Sequence, residues 1–210
     1  MKNILIFGNG FVSKDLDLAR RVDETDEFDK VIRMNECKLV AYHDKIGWRT
    51  DIYTFCGRSI MVDMMRNTKE IWWGLGKKRM DWMLSEENPN NCKVGYDLLS
   101  KEGVIHTHFH KLSEEKKRGH LDQIKELNQV VKAPKSISCG IRIILLCEVF
   151  LPAGYNLYLA GYDGAKSGHL WDPRDMNGLS PDQGSRHNFK GEYQWLEEQE
   201  SAGNLSILRN

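Results

Sequence analysis

A short apolar run near the start of the chain limits the possible folds more than any other feature of the sequence. Residues 4–7 are all apolar, and Gly8, Asn9 and Gly10 follow them directly. A run of this length that ends in a glycine-rich turn is typical of a buried strand, because glycine permits tight turns. The sequence therefore predicts a buried first strand that runs into a tight turn.

Apolar runs and helical patterns then alternate along the chain. Further strands are predicted at residues 31–34, 51–55, 70–75, 155–160 and 205–208, and helices at residues 14–21, 59–66, 77–85, 112–131, 136–150 and 189–201. Such alternation predicts an α/β fold, in which a Rossmann-like, mostly parallel sheet carries helices on both faces. Ligands of such sheets bind outside the carboxyl ends of the strands. Residues 164–186 are rich in Gly, Pro, Asp and Ser, so they are predicted to form a long loop.

Composition narrows the class of protein. The chain has 210 residues, of which 40% are hydrophobic, so we predict a single domain over residues 1–210. Lys and Arg number 30, as do Asp and Glu, so no net charge favours nucleic acid or an anionic membrane. No apolar run is long enough for a signal peptide or a transmembrane segment. Five cysteines without paired spacing indicate reduced thiols, which predicts a cytoplasmic protein.

The first turn is a candidate nucleotide site. Gly8-Asn9-Gly10 resembles a dinucleotide fingerprint that lacks its third glycine, and its backbone amides could hold a phosphate. An NAD site also needs an acidic residue at the end of the second strand, where this chain has Asn35. That residue argues against an NAD-type oxidoreductase. The alternative interpretation, a tight turn that binds no ligand, remains open at this point.

Six segments, taken in order, resemble the four sialyl motifs of the animal Golgi sialyltransferases. Residues 6–9 (IFGN), 29–35 (DKVIRMN) and 47–51 (GWRTD) are similar to the long motif L, and residues 134–164, with LCEV and YLAGYDG, resemble the short motif S. Residues 169–172 (HLWD) resemble motif III, and residues 187–192 (HNFKGE) match the very short motif VS, H-x4-E. Campylobacter-type sialyltransferases are a second similar group, because they share the first turn, the helix start and the G-x-D strand end.

The chain also departs from the animal family. Ile4 stands where the long motif has a cysteine, so Cys147 lacks the partner that the family pattern gives it. Cys139 stands where serine or threonine is common, and the membrane anchor and stem of the Golgi enzymes are not seen. These differences leave the donor sugar and the acceptor open.

The resemblance implies an enzyme that moves a sugar from a CMP-sugar donor to a glycan acceptor hydroxyl. Its expected fold is a GT-A-like variant of the Rossmann-like sheet, the expected sugar is sialic acid, and Kdo is a close alternative. The resemblance assigns His187 as the general base, and an imidazole suits that role because its ordinary pKa is about 6.5. His169 is expected to contact the leaving phosphate, and Glu192 to orient the base or cap the following helix. The alternative for both histidines is a polar residue without a catalytic role.

The remaining candidates are assigned to the donor. Asn9 and Asn35 end predicted strands and match the asparagines that the family uses for the donor, although Asn also favours turns. Two groups of three residues complete the set. The first begins a helix, where backbone amides attract anions, and consists of Ser138, Cys139 and Gly140. The second ends a strand, is expected to line the cytidine pocket, and consists of Gly161, Tyr162 and Asp163. For Ser138 the alternative is a simple helix N-cap.

Metal binding is the last possibility that the sequence raises. Asp15-Leu16-Asp17 fits the D-x-D string of metal-dependent transferases, but it falls in a predicted helix, so we assign it to a solvated face. His106, His108 and His110 would lie on one face of an extended segment and could bind zinc, but no fourth ligand is evident. We therefore predict no metal cofactor. A non-catalytic glycan-binding or nucleotide-binding module of the same fold remains a further alternative.

Overall fold

The computed structural model describes residues 1–8, 10, 12–34, 39–55, 68–88, 92–163 and 187–209. Predictions that fall on Asn9, Asn35, His169, the helix at residues 59–66 and the loop at residues 164–186 lie outside these ranges. Among the described helices, none combines the length and apolar character that a membrane span needs.

The described strands form one sheet in which every pairing is parallel. The strands are β1 (Lys2–Phe7), β2 (Lys30–Met34), β3 (Ile52–Phe55), β4 (Glu70–Trp73), β5 (Ile105–His108), β6 (Tyr155–Ala160) and β7 (Ser206–Leu208). Their order across the sheet is β5-β4-β3-β2-β1-β6-β7. Both the α/β class and the parallel sheet predicted from the sequence are confirmed. The chain runs outward from β1 to β5 and then crosses back to β6, which makes the gap between β1 and β6 the topological switch point.

Seven described helices connect and cover these strands. They are α1 (Leu18–Asp23), α2 (Leu39–Ile46), α3 (Lys77–Met83), α4 (Cys92–Lys101), α5 (Glu114–Val130), α6 (Cys139–Phe150) and α7 (Phe189–Ser201). The first predicted helix, over residues 14–21, is wrong as a continuous element. A 3-10 turn over Lys14–Leu16 is separated from α1 by Asp17, whose φ of 49° is incompatible with a right-handed helix.

Helices pack on both faces of the sheet because successive strand residues point to opposite sides. Ile4 and Ile6 of β1 belong to one core cluster, which α5, α6 and α7 cover. Leu5 and Phe7 face the other way, into a cluster with α1 and α2. A third cluster on that second side packs β3 and β4 against α3 and α4. The predicted helices on both faces are therefore present.

The segment that resembles the second part of the long motif has a structural role. Arg33 on β2 is fully buried, and its guanidinium lies 4.1 Å from the centre of the Phe7 ring. It donates hydrogen bonds to the carbonyl oxygens of Ile46 and Gly47 at 2.7 and 3.1 Å and to the Thr50 hydroxyl at 3.1 Å. These contacts fix the chain between α2 and β3 to the end of β2, because a buried cation must find acceptors inside the protein.

Candidate functional site at the carboxyl ends of β1 and β6

The turn after β1 packs directly on the turn after β6. The amide of Gly8 donates to the carbonyl of Ala160 at 2.8 Å, and the amide of Gly10 donates to that of Gly161 at 2.9 Å. A β-carbon on Gly8 would lie 2.4 Å from the Gly161 oxygen, and one on Gly10 would lie 2.7 Å from Asp163 Oδ1. No side chain fits at either position, so the two turns are glycine-rich because their backbones touch.

The amides of Gly8 and Gly10 bond within the protein. The sequence left open whether this turn holds a phosphate or is a tight turn without a ligand, and both amides donate to backbone carbonyls of the β6 end. Their glycines serve the close approach of two turns. That Gly8 and Gly10 line the donor site stays a prediction, while phosphate binding by their own N–H groups is not supported.

The start of α6 is tied to the same place. Tyr162 donates from its hydroxyl to the Gly140 carbonyl at 3.2 Å, and its ring lies where a β-carbon on Gly140 would come within 3.0 Å. Ser138 is the N-cap of α6, and its hydroxyl accepts from the amide of Ile141 at 3.5 Å. The N-cap reading of Ser138 is therefore confirmed, and α6 begins beside the ends of β1 and β6.

His187 contacts the segment that leads into α6. Its Nδ1 lies 2.7 Å from the carbonyl oxygen of Ser136, so Nδ1 carries the proton of this hydrogen bond. In the neutral imidazole the lone pair then belongs to Nε2, the nitrogen that a general base uses. The ring is half-buried and lies 5.6 Å from the Phe189 ring, centre to centre.

Glu192 contacts the same segment, two residues further on. Only 4% of its surface is exposed, and its Oε1 accepts from the amide of Ser138 at 2.7 Å. Burial raises the pKa of Glu192, and the hydrogen bonds from Ser138 and the positive charges of His187 and Arg142 oppose that rise. The sequence predicted that Glu192 would orient the base or cap its own helix, but its bonded partner is the start of α6.

One residue beside His187 was not predicted from the sequence. Asn188 is the N-cap of α7: its Oδ1 accepts from the amide of Gly191 at 3.1 Å, and its Nδ2 donates to the Val131 carbonyl at 2.8 Å. It anchors the helix that carries the His187 segment to the end of α5. An asparagine directly before an apolar helical pattern is a recognisable N-cap signal, so the sequence did hold this information.

The described candidates therefore gather at one place. The residues that meet at the ends of β1 and β6 and the start of α6 are Gly8, Gly10, Ser138, Cys139, Gly140, Gly161, Tyr162, Asp163, His187 and Glu192. Asn9, Asn35 and His169 lie outside the described residues.

The histidine cluster lies on a different strand. His106 and His108 are on β5, whereas His110 falls in the 3-10 turn Phe109–Lys111, so the prediction that all three share one strand face is wrong. His106 accepts from the Trp73 indole at 3.0 Å, and His108 lies 3.2 Å from the Tyr96 hydroxyl. Among the residues with described positions, no three His, Cys, Asp or Glu side chains are grouped to hold a metal.

Two cavities lie away from the candidate site. One of about 400 Å³ is lined by Lys2, Lys30 and Gly154, at the amino ends of the strands. Another of about 350 Å³ lies between α5 and α6 and is lined in part by His120 and Glu148. Neither is at the carboxyl ends of the strands, where parallel sheets bind their ligands, so we do not assign the donor to either.

Fold and candidate site together define an α/β class of protein with a parallel sheet whose switch point lies between β1 and β6. The model of glycosyltransferase family 29 (sialyltransferase) matches residues 4–203, and the chain therefore belongs to that family. This confirms the resemblance found in the sequence, and the NAD-type oxidoreductase is not supported. No curated protein matches the chain by sequence.

Solved structures of sialyltransferases share the fold. A mammalian sialyltransferase matches with a TM-score of 0.58 at 13% identity, over 100% of this chain and 70% of the other. CstII from Campylobacter jejuni matches with a TM-score of 0.55 at 17% identity, over 99% of this chain and 81% of the other. Cst-I from the same organism gives a TM-score of 0.55 at 16% identity, over 99% and 74%.

Proposed function

We propose that the chain transfers sialic acid from CMP-sialic acid to a hydroxyl of a glycan acceptor, with inversion at the anomeric carbon. The observation that carries this proposal is the 2.7 Å contact of His187 Nδ1 with the Ser136 carbonyl, beside the start of α6. The contact supports a role for His187 as the base, because Nδ1 donates to Ser136, a residue just ahead of the N-cap of α6. Membership in family 29 supports the class of reaction.

The donor is supported by structures of similar fold. CstII was crystallised with the substrate analogue CMP-3FNeuAc, and a mammalian sialyltransferase was crystallised with a Gal-β-1-3GalNAc compound. In this chain the cytidine monophosphate would lie across the ends of β1 and β6. Gly161, Tyr162 and Asp163 would line the nucleoside, and Asn9 and Asn35 are proposed as further donor contacts.

The start of α6 is our candidate site for the leaving phosphate. The first amides of a helix have no acceptor within that helix, and they carry partial positive charge. Glu192 accepts a hydrogen bond from the amide of Ser138, and the Ser138 hydroxyl accepts one from the amide of Ile141. We assign the amides of Cys139 and Gly140, which follow the N-cap of α6, to the phosphate, together with the side chain of His169.

The reaction is a single displacement. Nε2 of His187 takes the proton of the acceptor hydroxyl as its oxygen attacks the anomeric carbon. The bond from that carbon to the phosphate oxygen breaks, and the electron pair leaves with CMP. Amides at the helix start stabilise the growing phosphate charge, which an electrostatic site does most effectively when its dipoles are already oriented.

Nucleotide-dependent melting tests the donor class. CMP should raise the melting temperature more than CDP, UDP, GDP or NAD, because a ligand that binds only the native state stabilises it. Equal shifts for all five nucleotides would contradict the proposal. CMP-Kdo consumed faster than CMP-sialic acid would assign the alternative sugar, and CMP binding without consumption of either donor would indicate a non-catalytic module.

Two further expectations remain proposals. A single domain over residues 1–210 agrees with the one sheet that the described strands form. A cytoplasmic location rests on reduced thiols: Cys92 and Cys147 form no disulfide among the described residues, and both are buried. Labelling of the unfolded chain by a thiol reagent without prior reduction should modify all five cysteines.

A further inference from the structure

The cavity of about 400 Å³ at the amino ends of β1, β2 and β6 takes no part in the proposed transfer. It is lined on one side by the segment that connects α6 to β6, with Leu151, Pro152 and Ala153. Its volume falls within the range of about 300–1,000 Å³ that is usual for small-molecule sites. The candidate donor site lies at the other end of the same strands, so a ligand of this cavity would be a second ligand.

The register of the sheet brings two lysines to this cavity on the same face. Lys30 on β2 pairs with Ile4 on β1, and Tyr155 on β6 pairs with Lys2 on β1. Side chains two residues apart on a strand share a face, so Lys2 lies on the face of Ile4, which α6 covers. Because adjacent strands are about 4.8 Å apart and two residues span about 6.6 Å, the two lysines are roughly 8 Å apart at their backbones. Their long side chains can therefore reach one anion between them.

Both ammonium groups can accept a further anionic partner. Among the described residues that line the cavity, none is acidic. Lys2 forms no ion pair in the described part of the chain, and Lys30 Nζ lies 3.9 Å from Glu70 Oε2, which is too far for a hydrogen bond. The Tyr155 hydroxyl is a further donor without a described partner, and burial raises the pKa of Tyr155 to about 12, so the hydroxyl keeps its proton.

We propose that this cavity binds a small organic anion with one acidic group on an apolar body, in the manner of an arylalkyl carboxylate. Lys2 and Lys30 pair with the acidic group, and the apolar body packs on Ile4 and Leu151. An uncharged molecule of the same shape gains only the apolar contacts, and an inorganic anion gains only the ion pairs. The proposal does not depend on the proposed function, because it uses no residue of the candidate site.

Calorimetric titration of the chain with 4-phenylbutyrate tests the proposal, with 4-phenylbutanol and inorganic phosphate as comparisons. The carboxylate should bind at least about tenfold more tightly than either comparison, because it alone makes both kinds of contact. K2Q and K30Q should each weaken 4-phenylbutyrate about five- to tenfold and leave 4-phenylbutanol unchanged. K78Q is the matched control, because Lys78 is exposed on α3 and does not line the cavity. Saturating CMP should leave every affinity unchanged.

Four results would overturn the proposed site. They are no measurable binding of 4-phenylbutyrate, equal affinities for 4-phenylbutyrate and 4-phenylbutanol, affinities in K2Q and K30Q that match K78Q, and displacement of 4-phenylbutyrate by CMP. The last result would move the anion to the candidate donor site. Lys2 is exposed and Lys30 is half-buried, so neither replacement should unfold the chain, and melting curves of the variants check this.

Discussion

The Nδ1 atom of His187 lies 2.7 Å from the carbonyl oxygen of Ser136, a residue 51 positions earlier in the chain. This contact fixes both the orientation and the tautomer of the ring, because a carbonyl only accepts and Nδ1 must therefore donate. It also places the histidine of the H-x4-E motif beside the start of α6, which lies within the segment that resembles the short motif. Two motifs from distant parts of the sequence thus meet at one end of the sheet.

The first prediction concerns His187 itself. H187A should lower kcat about 100-fold or more, because general base catalysis contributes that much or more to typical rates. Its melting temperature should stay within about 3 °C of the wild type, since one half-buried hydrogen bond contributes only about 1 kcal/mol. The measurement is CMP release from CMP-sialic acid alongside a melting curve.

K190A supplies the control for His187. Lys190 is exposed in the first turn of α7, close to His187 in sequence, and we assign it no role. Its kcat should match that of the wild type. A fully active H187A would remove His187 from the mechanism.

The second prediction separates two effects of glycine at the ends of β6. Gly154 and Gly161 both have positive φ, of 88° and 70°, but only at Gly161 would a β-carbon meet another atom, 2.9 Å from the Gly10 oxygen. G154A should lower the free energy of unfolding by about 1–2 kcal/mol, the cost of the left-handed conformation. G161A should lower it by about 1–3 kcal/mol more, because the two turns must move apart.

Urea unfolding of both glycine variants measures the difference. The structure also predicts that G161A weakens the stabilisation by CMP, while G154A does not, because only Gly161 lies at the candidate site. Equal losses of stability in the two variants would show that the packing of the β1 and β6 turns is unimportant.

The third prediction is a loss of stability in mild acid. Burial, with help from nearby positive charges, lowers the pKa of His108 and of His120 to about 4. The unfolded chain binds protons at these side chains below about pH 6.5, whereas the native protein does not until about pH 4. The free energy of unfolding should therefore fall as the pH drops from 6.5 to 4, by up to about 1.4 kcal/mol per pH unit for each histidine.

Removing the two imidazoles shows how much of that loss they cause. H108Q and H120Q should each have a shallower dependence of unfolding free energy on pH over this window, measured with urea at half-unit steps. Slopes identical to that of the wild type would contradict the assignment, even if the variants are less stable at every pH.

The fourth prediction is that transfer does not need a metal ion. The proposed chemistry uses an imidazole and helix amides, which act on the hydroxyl and the phosphate without a divalent ion. Activity should therefore be unchanged in EDTA and unchanged again when Mg²⁺ or Mn²⁺ is added. A loss in EDTA that a divalent ion restores would show that a metal holds the donor.

Strands were the part of this fold that the sequence predicted best. Residues 155–160 were assigned as a strand and β6 spans Tyr155–Ala160, because an apolar run bounded by two glycines leaves little choice. Helix α7 spans Phe189–Ser201, the same bounds that were predicted from the sequence. The prediction of the first helix was wrong at Asp17, which has a left-handed backbone conformation. Nothing in the sequence distinguishes this residue from an aspartate in an ordinary helix.

The sequence predicted which residues form the candidate site, but it did not predict which of them are in contact. A motif match could indicate that His187, Glu192 and the 138–140 segment work together. It could not show that Glu192 bonds to Ser138, because that pairing depends on how α7 docks on α6, 54 positions apart. The sequence left the role of the turn at Gly8 and Gly10 open for the same reason: glycine spacing shows that something approaches closely, and only the fold shows that it is the β6 turn.

Mass spectrometry of an acceptor glycan incubated with the wild-type chain and CMP-sialic acid tests the central claim most directly. We predict an acceptor heavier by one sialic acid residue, one CMP released for each product, and no product with H187A. An acceptor of unchanged mass across a panel of galactose-terminated and sialic acid-terminated glycans, with CMP-sialic acid intact, would contradict the account.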